Sequence, residues 1–407
     1  MEVKLGYKQT EAGVIPEEWE VTVLGAVSET SSGTTPSRAL MDRYYRNGSI
    51  AWVKTLDLND SDIYSTDESV TELAMKETCL RSYPIGTVLV AMYGGFNQIG
   101  RTGLLRKPAA VNQAITAIRP KKGVLASEYL IRNLNYRVDY WKHVASSSRR
   151  DPNITSKDIR DFPIACPKLR EQEAIAEALS DADALLESLE QLIAKKRHLK
   201  QGAMQELLTG KKRLPGFSGE WEVKRLGDVV APRRDRIDPR RSGVQDFCVE
   251  LEHIGSAIGA LLGSTSTGEQ SSLKSVFREG DVLFGKLRAY LRKYWRADRS
   301  GVCSTEIWVF APNENLISAP YLFQIVQTDK FIQAASSSYG THMPRSDWNV
   351  VKNYELLLPK VPEQTAIAAT LSDMDAEIAA LKTKLAKTRQ LKQGMMHNLL
   401  TGKIRLV

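Results

Sequence analysis

Cysteine is sparse and scattered in this 407-residue chain: Cys79, Cys166, Cys248 and Cys303 lie far apart, with no Cys-x-x-Cys pair among them. That excludes a zinc ribbon or a disulfide framework, and the four are read as buried thiols in a reducing compartment. The five histidines are equally dispersed, with His198 and His397 inside long helical stretches, so no metal-spaced pair exists. No run approaches the roughly 18 apolar residues of a membrane-spanning helix. The opening segment MEVKLGYKQTEAGVIPEEWEV lacks the apolar core of a secretion signal, so a cytoplasmic protein is expected.

Signatures of catalysis are missing too. There is no strand–glycine–helix signature for nucleotides, no Asn/Asp-Pro-Pro-aromatic motif of amino-methylating enzymes and no Gly-x-Ser-x-Gly. The stretch GSTSTGEQ, 263–270, has glycines at phosphate-loop spacing, but Glu269 stands where such a loop needs lysine, and an acid there repels phosphate. It reads as a turn. No catalytic or metal-ligating residue is assigned. Nuclease-type acid pairs are too loose a pattern to read, which leaves a self-contained methyltransferase or nuclease open as an alternative, alongside a coiled-coil scaffold with no DNA role.

What the chain does have is charge and repetition. A net charge of +8 and a pI near 9.1 favour polyanions, because Lys and Arg that neutralise phosphates release counterions. The segment starting EQEAIAEALSDADALL at Glu171 recurs as EQTAIAATLSDMDAEI at Glu363, 192 positions later, and 26 of 44 aligned positions are identical without a gap. This is an internal duplication.

Each copy reads as one helix, preceded by proline (Pro167; Pro359 and Pro362) and ended by Thr-Gly-Lys, with Gly210 and Gly402 suited to the left-handed position past a helix end. Apolar residues fall at steps of three and four: Ile175, Leu179, Ala182, Leu186, Leu189 and Ile193, then Ile367, Leu371, Met374, Ile378, Leu381 and Leu385. That spacing is a packing seam. It breaks near Lys196 and Thr388 and resumes at Leu199 and Leu391, which predicts a local change in winding. Acids crowd the first half of each helix and bases the second, an arrangement that also suits each helix dipole. Antiparallel pairing sets unlike charges side by side, so two antiparallel helices of about 60 Å are expected as a spacer.

The globular segments echo each other more faintly: PEEWEVTVLGAV resembles SGEWEVKRLGDVV, IGTVLVAM resembles EGDVLFGK, and SEYLIRNL resembles APYLFQIV. Short β-branched runs (TVLVAM, AITAIRP, DVLFGK, EIWVFAP) read as strands, with short helices around SEYLIRNLNYRVDYW and PYLFQIVQTDKFIQ. The expected fold class is α+β: two similar domains, 1–168 and 213–361, separated by two long antiparallel helices, 169–212 and 362–407, as a pseudo-twofold repeat able to hold two copies of one partner.

Basic, amide and aromatic residues cluster in loops at equivalent places of both halves. The first half offers Tyr93, Asn97, Gln98 and Arg101, then Asn112 and Gln113, then Arg149, Arg150, Asn153, Thr155 and Lys157. The second offers Lys286, Arg288, Tyr290 and Arg292, then Tyr339, Thr341, His342 and Arg345. Arg and Lys suit guanine and phosphate, and Asn and Gln suit adenine, so these are the candidate DNA contacts; the plainer alternative is solvated loops with capping residues. Gln201, Gly202, Gln393 and Gly394, in the repeated LKQG, are candidates for partner binding, or else they merely fix the helix ends.

Helices ending in LLTGKKRLPGF and LLTGKIRLV, each preceded by an aliphatic-proline stretch and Glu-Gln, resemble the specificity subunit of type I restriction-modification enzymes across essentially the whole chain. GDVLFGKLRAYLRK, CSTEIWVF, THMPRSDW and VNQAITAIRP are similar to pieces of that family's target recognition domains, whereas GGFNQIGRTG departs from the family form. The resemblance implies a non-catalytic subunit whose two target recognition domains each read half of a bipartite DNA site. It further implies helices that bind two methyltransferase subunits, S-adenosylmethionine held by those subunits, and ATP with Mg²⁺ on a separate motor-nuclease subunit. No cofactor is then expected in this chain.

Overall fold

The computed structural model describes residues 5–95, 97–145, 153–268, 270–337 and 344–406. The chain forms two compact units, Met1–Leu189 with Lys384–Val407, and Glu190–Thr383. Each contains one α+β domain and parts of both long helices.

In the first unit the central strand Val88–Ala91 is apolar at every position because both of its faces are covered. Val88 and Val90 pack with the helix Ser127–Tyr136, while Leu89 and Ala91 face a second core with Val53, Leu105 and Val111. Its sheet runs Ser28–Ser32, Ile115–Pro120, Val88–Ala91, Thr102–Leu105, Ser61–Ile63. The second unit repeats the first four strands as Val230–Pro232, Ile307–Pro312, Val282–Gly285 and Tyr294–Arg296. Here too Val282 and Phe284 face one core and Leu283 another. A second, four-stranded sheet accompanies the first in each unit. The expected strands and short helices are all present, including Ala319–Ile325 and Asp329–Ala335.

The long helices are Leu169–Leu207 and Val361–Leu400. Gly210 and Gly402 beyond them have φ of 71° and 67°, as the sequence predicts. Glu171 and Gln172, at the start of the first helix, are buried and fasten it to its own domain. Gln172 accepts from Ala126 N at 2.9 Å and donates to Val124 O and Pro167 O at 3.0 and 2.9 Å. Gln364 does the same with Ser318 N, Leu316 O and Pro359 O at 2.9, 2.8 and 2.8 Å.

The helices pair antiparallel inside each unit. In the first, Glu171 meets Arg405 and Asp183 meets Lys392. In the second, Lys196 meets Glu377 at 2.6 Å, Lys200 meets Asp375 at 2.7 Å and Arg213 meets Glu363 at 2.5 Å. As numbers rise along one helix they fall along the other.

Two expectations are corrected. The helices are continuous through Lys196 and Thr388, and the seam does not resume at the leucines expected to carry it. Leu199 and Leu391 are 51% and 64% exposed, and the three-four pattern runs instead from Ile193 through Lys196 to Lys200, which is buried. The apparent break arises because a lysine, neutralised by Asp375, occupies a seam position. Second, the cysteines are all free thiols but not all buried: Cys79 is exposed and Cys166 half-buried. Burial pushes the Cys166 and Cys248 thiols up to about 11, which keeps them protonated near neutral pH.

Candidate nucleic-acid interface

The candidate DNA contacts of the first unit converge through main-chain hydrogen bonds. Beyond the central strand, Met92 N donates to Ala114 O at 2.8 Å, and Ile154 N donates to Met92 O at 3.1 Å. Three segments therefore meet: the loop 93–101, the turn 112–114 and the stretch 153–155. Ala91 N and Gly100 N close the loop through Arg101 O and Ala91 O, at 2.9 and 3.0 Å. Gly100 needs to be glycine, since its φ is 79° and a Cβ would lie 2.3 Å from Trp141 Cδ1. Tyr93 and Asn97 are exposed on this loop, and Arg101 Nε donates to Asn97 O at 3.0 Å. Gln113 is exposed at the turn and accepts from Thr35 Oγ1.

The second unit repeats this junction with different side chains. Lys286 N donates to Glu306 O at 3.0 Å, and Ser346 N donates to Lys286 O at 2.8 Å. Arg288 N also donates to Pro344 O at 2.9 Å, zipping the two loops together. Arg288 and Arg292 both sit at φ 53°, on either side of a single turn, Ala289–Leu291, that leaves Tyr290 55% exposed. A left-handed backbone at two arginines is strained and is held here by the pairing of Arg292 with Asp329 and by Lys293 Nζ donating to Leu251 O at 2.6 Å. Arg345 Nε donates to Glu306 Oε2 at 2.9 Å, and that carboxylate raises the arginine's pKa.

Of the sequence-derived candidates, Tyr93, Asn97, Gln98, Arg101, Gln113 and Asn153 are gathered at the first junction, and Lys286, Arg288, Tyr290, Arg292 and Arg345 at the second. Thr155 has a local task as well, capping the helix Ser156–Arg160 through Asp158 N at 3.2 Å, and Lys157 pairs with Asp161 at 2.5 Å. The Thr-x-x-Asp spacing carried that signal. Arg149, Arg150, Tyr339, Thr341 and His342, like Glu269, lie outside the described residues. Glu306 was not singled out from sequence, although the offset of 192 that relates the long helices also sets it opposite Ala114 and sets Arg345 opposite Asn153.

The sequence profile of the type I restriction modification DNA specificity domain matches residues 16–196 and again 218–390, one match per half. The chain belongs to this specificity family. As a specificity subunit it is a non-catalytic DNA-recognition component with two recognition domains, acting with DNA and with partner subunits. The type I restriction enzyme MjaIX specificity subunit of Methanocaldococcus jannaschii is 24% identical over 98% of this chain and 96% of its own. The fold is shared with the S subunit of a type I system from M. genitalium, with a TM-score of 0.58 at 12% identity, covering 98% of both chains. A chain from a structure of type I system assembly and conformational transition also scores 0.58 at 16% identity, covering 96% of this chain and 99% of that one. Among the described residues, no helix is long and apolar enough to cross a membrane.

Proposed function

We propose that each recognition domain reads one half of a bipartite DNA site through its three-segment junction, and that the repeated helices dock two methyltransferase subunits. One observation carries the first part: an identical main-chain junction, Met92–Ala114–Ile154 in one unit and Lys286–Glu306–Ser346 in the other, holds different side chains. A fixed scaffold with divergent side chains suits reading two different sequences. The bases on the junction loops supply phosphate contacts, and the amides and aromatics meet base edges.

Docking rests on the LKQG repeat. Gln201 and Gly202, and likewise Gln393 and Gly394, are exposed, and a Cβ built on either glycine meets nothing within 4 Å. Glycine inside a helix costs about 1 kcal/mol relative to alanine, so its use twice on bare faces suits close approach by another chain. Beside Gln201, within the second unit, a cavity of about 1010 Å³ opens between Met204, Val223 and Leu357. Motor-nuclease subunits complete the enzyme, S-adenosylmethionine, ATP and Mg²⁺ reside on the partners, and the complex works in the cytoplasm.

The test is to express the chain with its methyltransferase subunit and map methylated sequences. Arg345→Ala should relax recognition at one half-site only; equal loss at both would overturn the assignment of one half-site to each domain. Methylation or cleavage by the isolated chain, given S-adenosylmethionine or Mg²⁺, would overturn the division of labour.

A further inference from the structure

Glu306 is an acid bonded through its main chain to Lys286 and through its side chain to Arg345, in a junction whose loops also carry Arg288 and Arg292. Its main chain has a structural task, because its carbonyl receives Lys286 N. That task needs no carboxylate: in the first unit Ala114 performs it for Met92 N. The side chain is therefore surplus to the junction.

The carboxylate is held in a defined way. Oε2 accepts from Arg345 Nε at 2.9 Å, while Oε1 makes no hydrogen bond with any described residue and the side chain is 27% exposed. Arg345 is itself anchored, since its neighbour Ser346 N is bonded to Lys286 O and residue 345 forms a β-bridge with Leu287. The Nη groups of Arg345 make no hydrogen bond with the described residues either. Among the described residues the pair thus presents one open acceptor beside open donors.

A carboxylate repels phosphate, so within a DNA-facing junction it suits a base edge. In the major groove the amines of cytosine N4 and adenine N6 are the donors, and each lies beside acceptors: guanine O6 and N7 of the pairing base, or adenine N7. Accordingly, resting on the reading of this junction as a DNA face, we propose that Glu306 is a specificity-determining residue. It accepts a hydrogen bond from the exocyclic amine of one base, and Arg345 positions it and donates to the neighbouring acceptor.

The experiment uses the full chain assembled with its methyltransferase subunit, selecting DNA from a pool randomised over both half-sites. Glu306→Ala should lower discrimination about tenfold at one base pair of one half-site, where the unmodified chain prefers cytosine or adenine, and leave every other position unchanged. Glu306→Gln, which keeps the shape, guards against a folding defect in the alanine variant and should broaden the same position. Replacing the selected base by 2-pyrimidinone or purine, which lack the amine, should weaken the unmodified complex and not Glu306→Ala; whichever analogue does so tells cytosine from adenine. If Arg288→Ala weakens binding while both Glu306 variants keep the original preferences, the junction meets DNA and Glu306 is only an ion-pair partner. A uniform gain in affinity for all sequences in the Glu306 variants would reduce the acid to phosphate repulsion and overturn the inference. If neither Arg288 nor Glu306 matters, the junction itself is not the DNA face.

Discussion

Arg405 reaches back 234 positions to Glu171, its Nε and Nη2 donating to the two carboxylate oxygens at 2.5 and 2.8 Å, with Trp19 Nε1 adding a third donor at 3.3 Å. Arg213, Trp221 and Glu363 make the same triad in the second unit, at 2.5, 2.7 and 3.2 Å. The two arginines belong to the matching Gly-Lys-x-Arg-Leu tails. The tail thus ties the end of one long helix to the start of the other, inside each unit.

Glu171 is 3% exposed, and its removal leaves the Trp19 indole N–H without its acceptor and Arg405 with its contact to Glu18 at 3.2 Å alone. Glu171→Ala should cost about 3 kcal/mol, the range for breaking a buried pair from one side. Glu363→Ala should do likewise. Thermal or urea unfolding of each variant checks this, and a loss below about 1 kcal/mol would place the triads among ordinary surface ion pairs.

A different outcome is expected at Lys200 and Asp375, whose pair sits within the helix seam. Lys200→Ala alone should destabilise the second unit by about 2 kcal/mol, because Asp375 loses the lysine that neutralises it in the seam. Lys200→Leu combined with Asp375→Leu should recover most of that loss, since an apolar pair needs no desolvation of charge. A double-mutant cycle by urea unfolding measures the coupling; additive effects would contradict it.

The seam also shows what could be read from sequence. The helices, their ends and their antiparallel sense were legible because periodicity, glycine and charge polarity are all local signals. The register past Ile193 was not, because counting apolar residues overlooks Lys200 and Lys392, whose places in the seam depend on acids across it. The loops bearing the candidate contacts were legible from composition. Their convergence was not: Met92, Ala114 and Ile154 meet through main-chain N–H and C=O groups, which every non-proline residue carries alike. The offset of 192 traces Ala114 to Glu306 and Ile154 to Ser346, but Met92 answers to Lys286 at 194, so the halves do not align without a gap through the junction.

Acid should weaken one corner of the first unit in a defined window. Glu68 is held below its usual 4.5 by hydrogen bonds from Arg38 and then Lys54. A depressed carboxyl contributes stability that is fully present above its unfolded pKa and is lost as pH falls through its folded value. The stability difference between the unmodified chain and Glu68→Gln should therefore be constant from neutral pH down to about 5 and shrink below 4.5. Urea unfolding across that range reads it, and a difference that grows on acidification would reverse the sign.

The two glycine classes separate scaffold from interface. Gly100→Ala drives a methyl into Trp141 at a left-handed backbone position, so it should destabilise the chain by about 3 kcal/mol and blur one half-site. Gly202→Ala and Gly394→Ala meet no atom and improve helix propensity, so the isolated chain should gain about 0.5–1 kcal/mol per site. If these faces receive the methyltransferase subunits, the same substitutions should weaken assembly, measurable by titration of the chain with its partner. More stable alone yet poorer at assembling is a combination that a purely structural role for these glycines does not produce. Unchanged assembly would move the docking faces elsewhere on the helices.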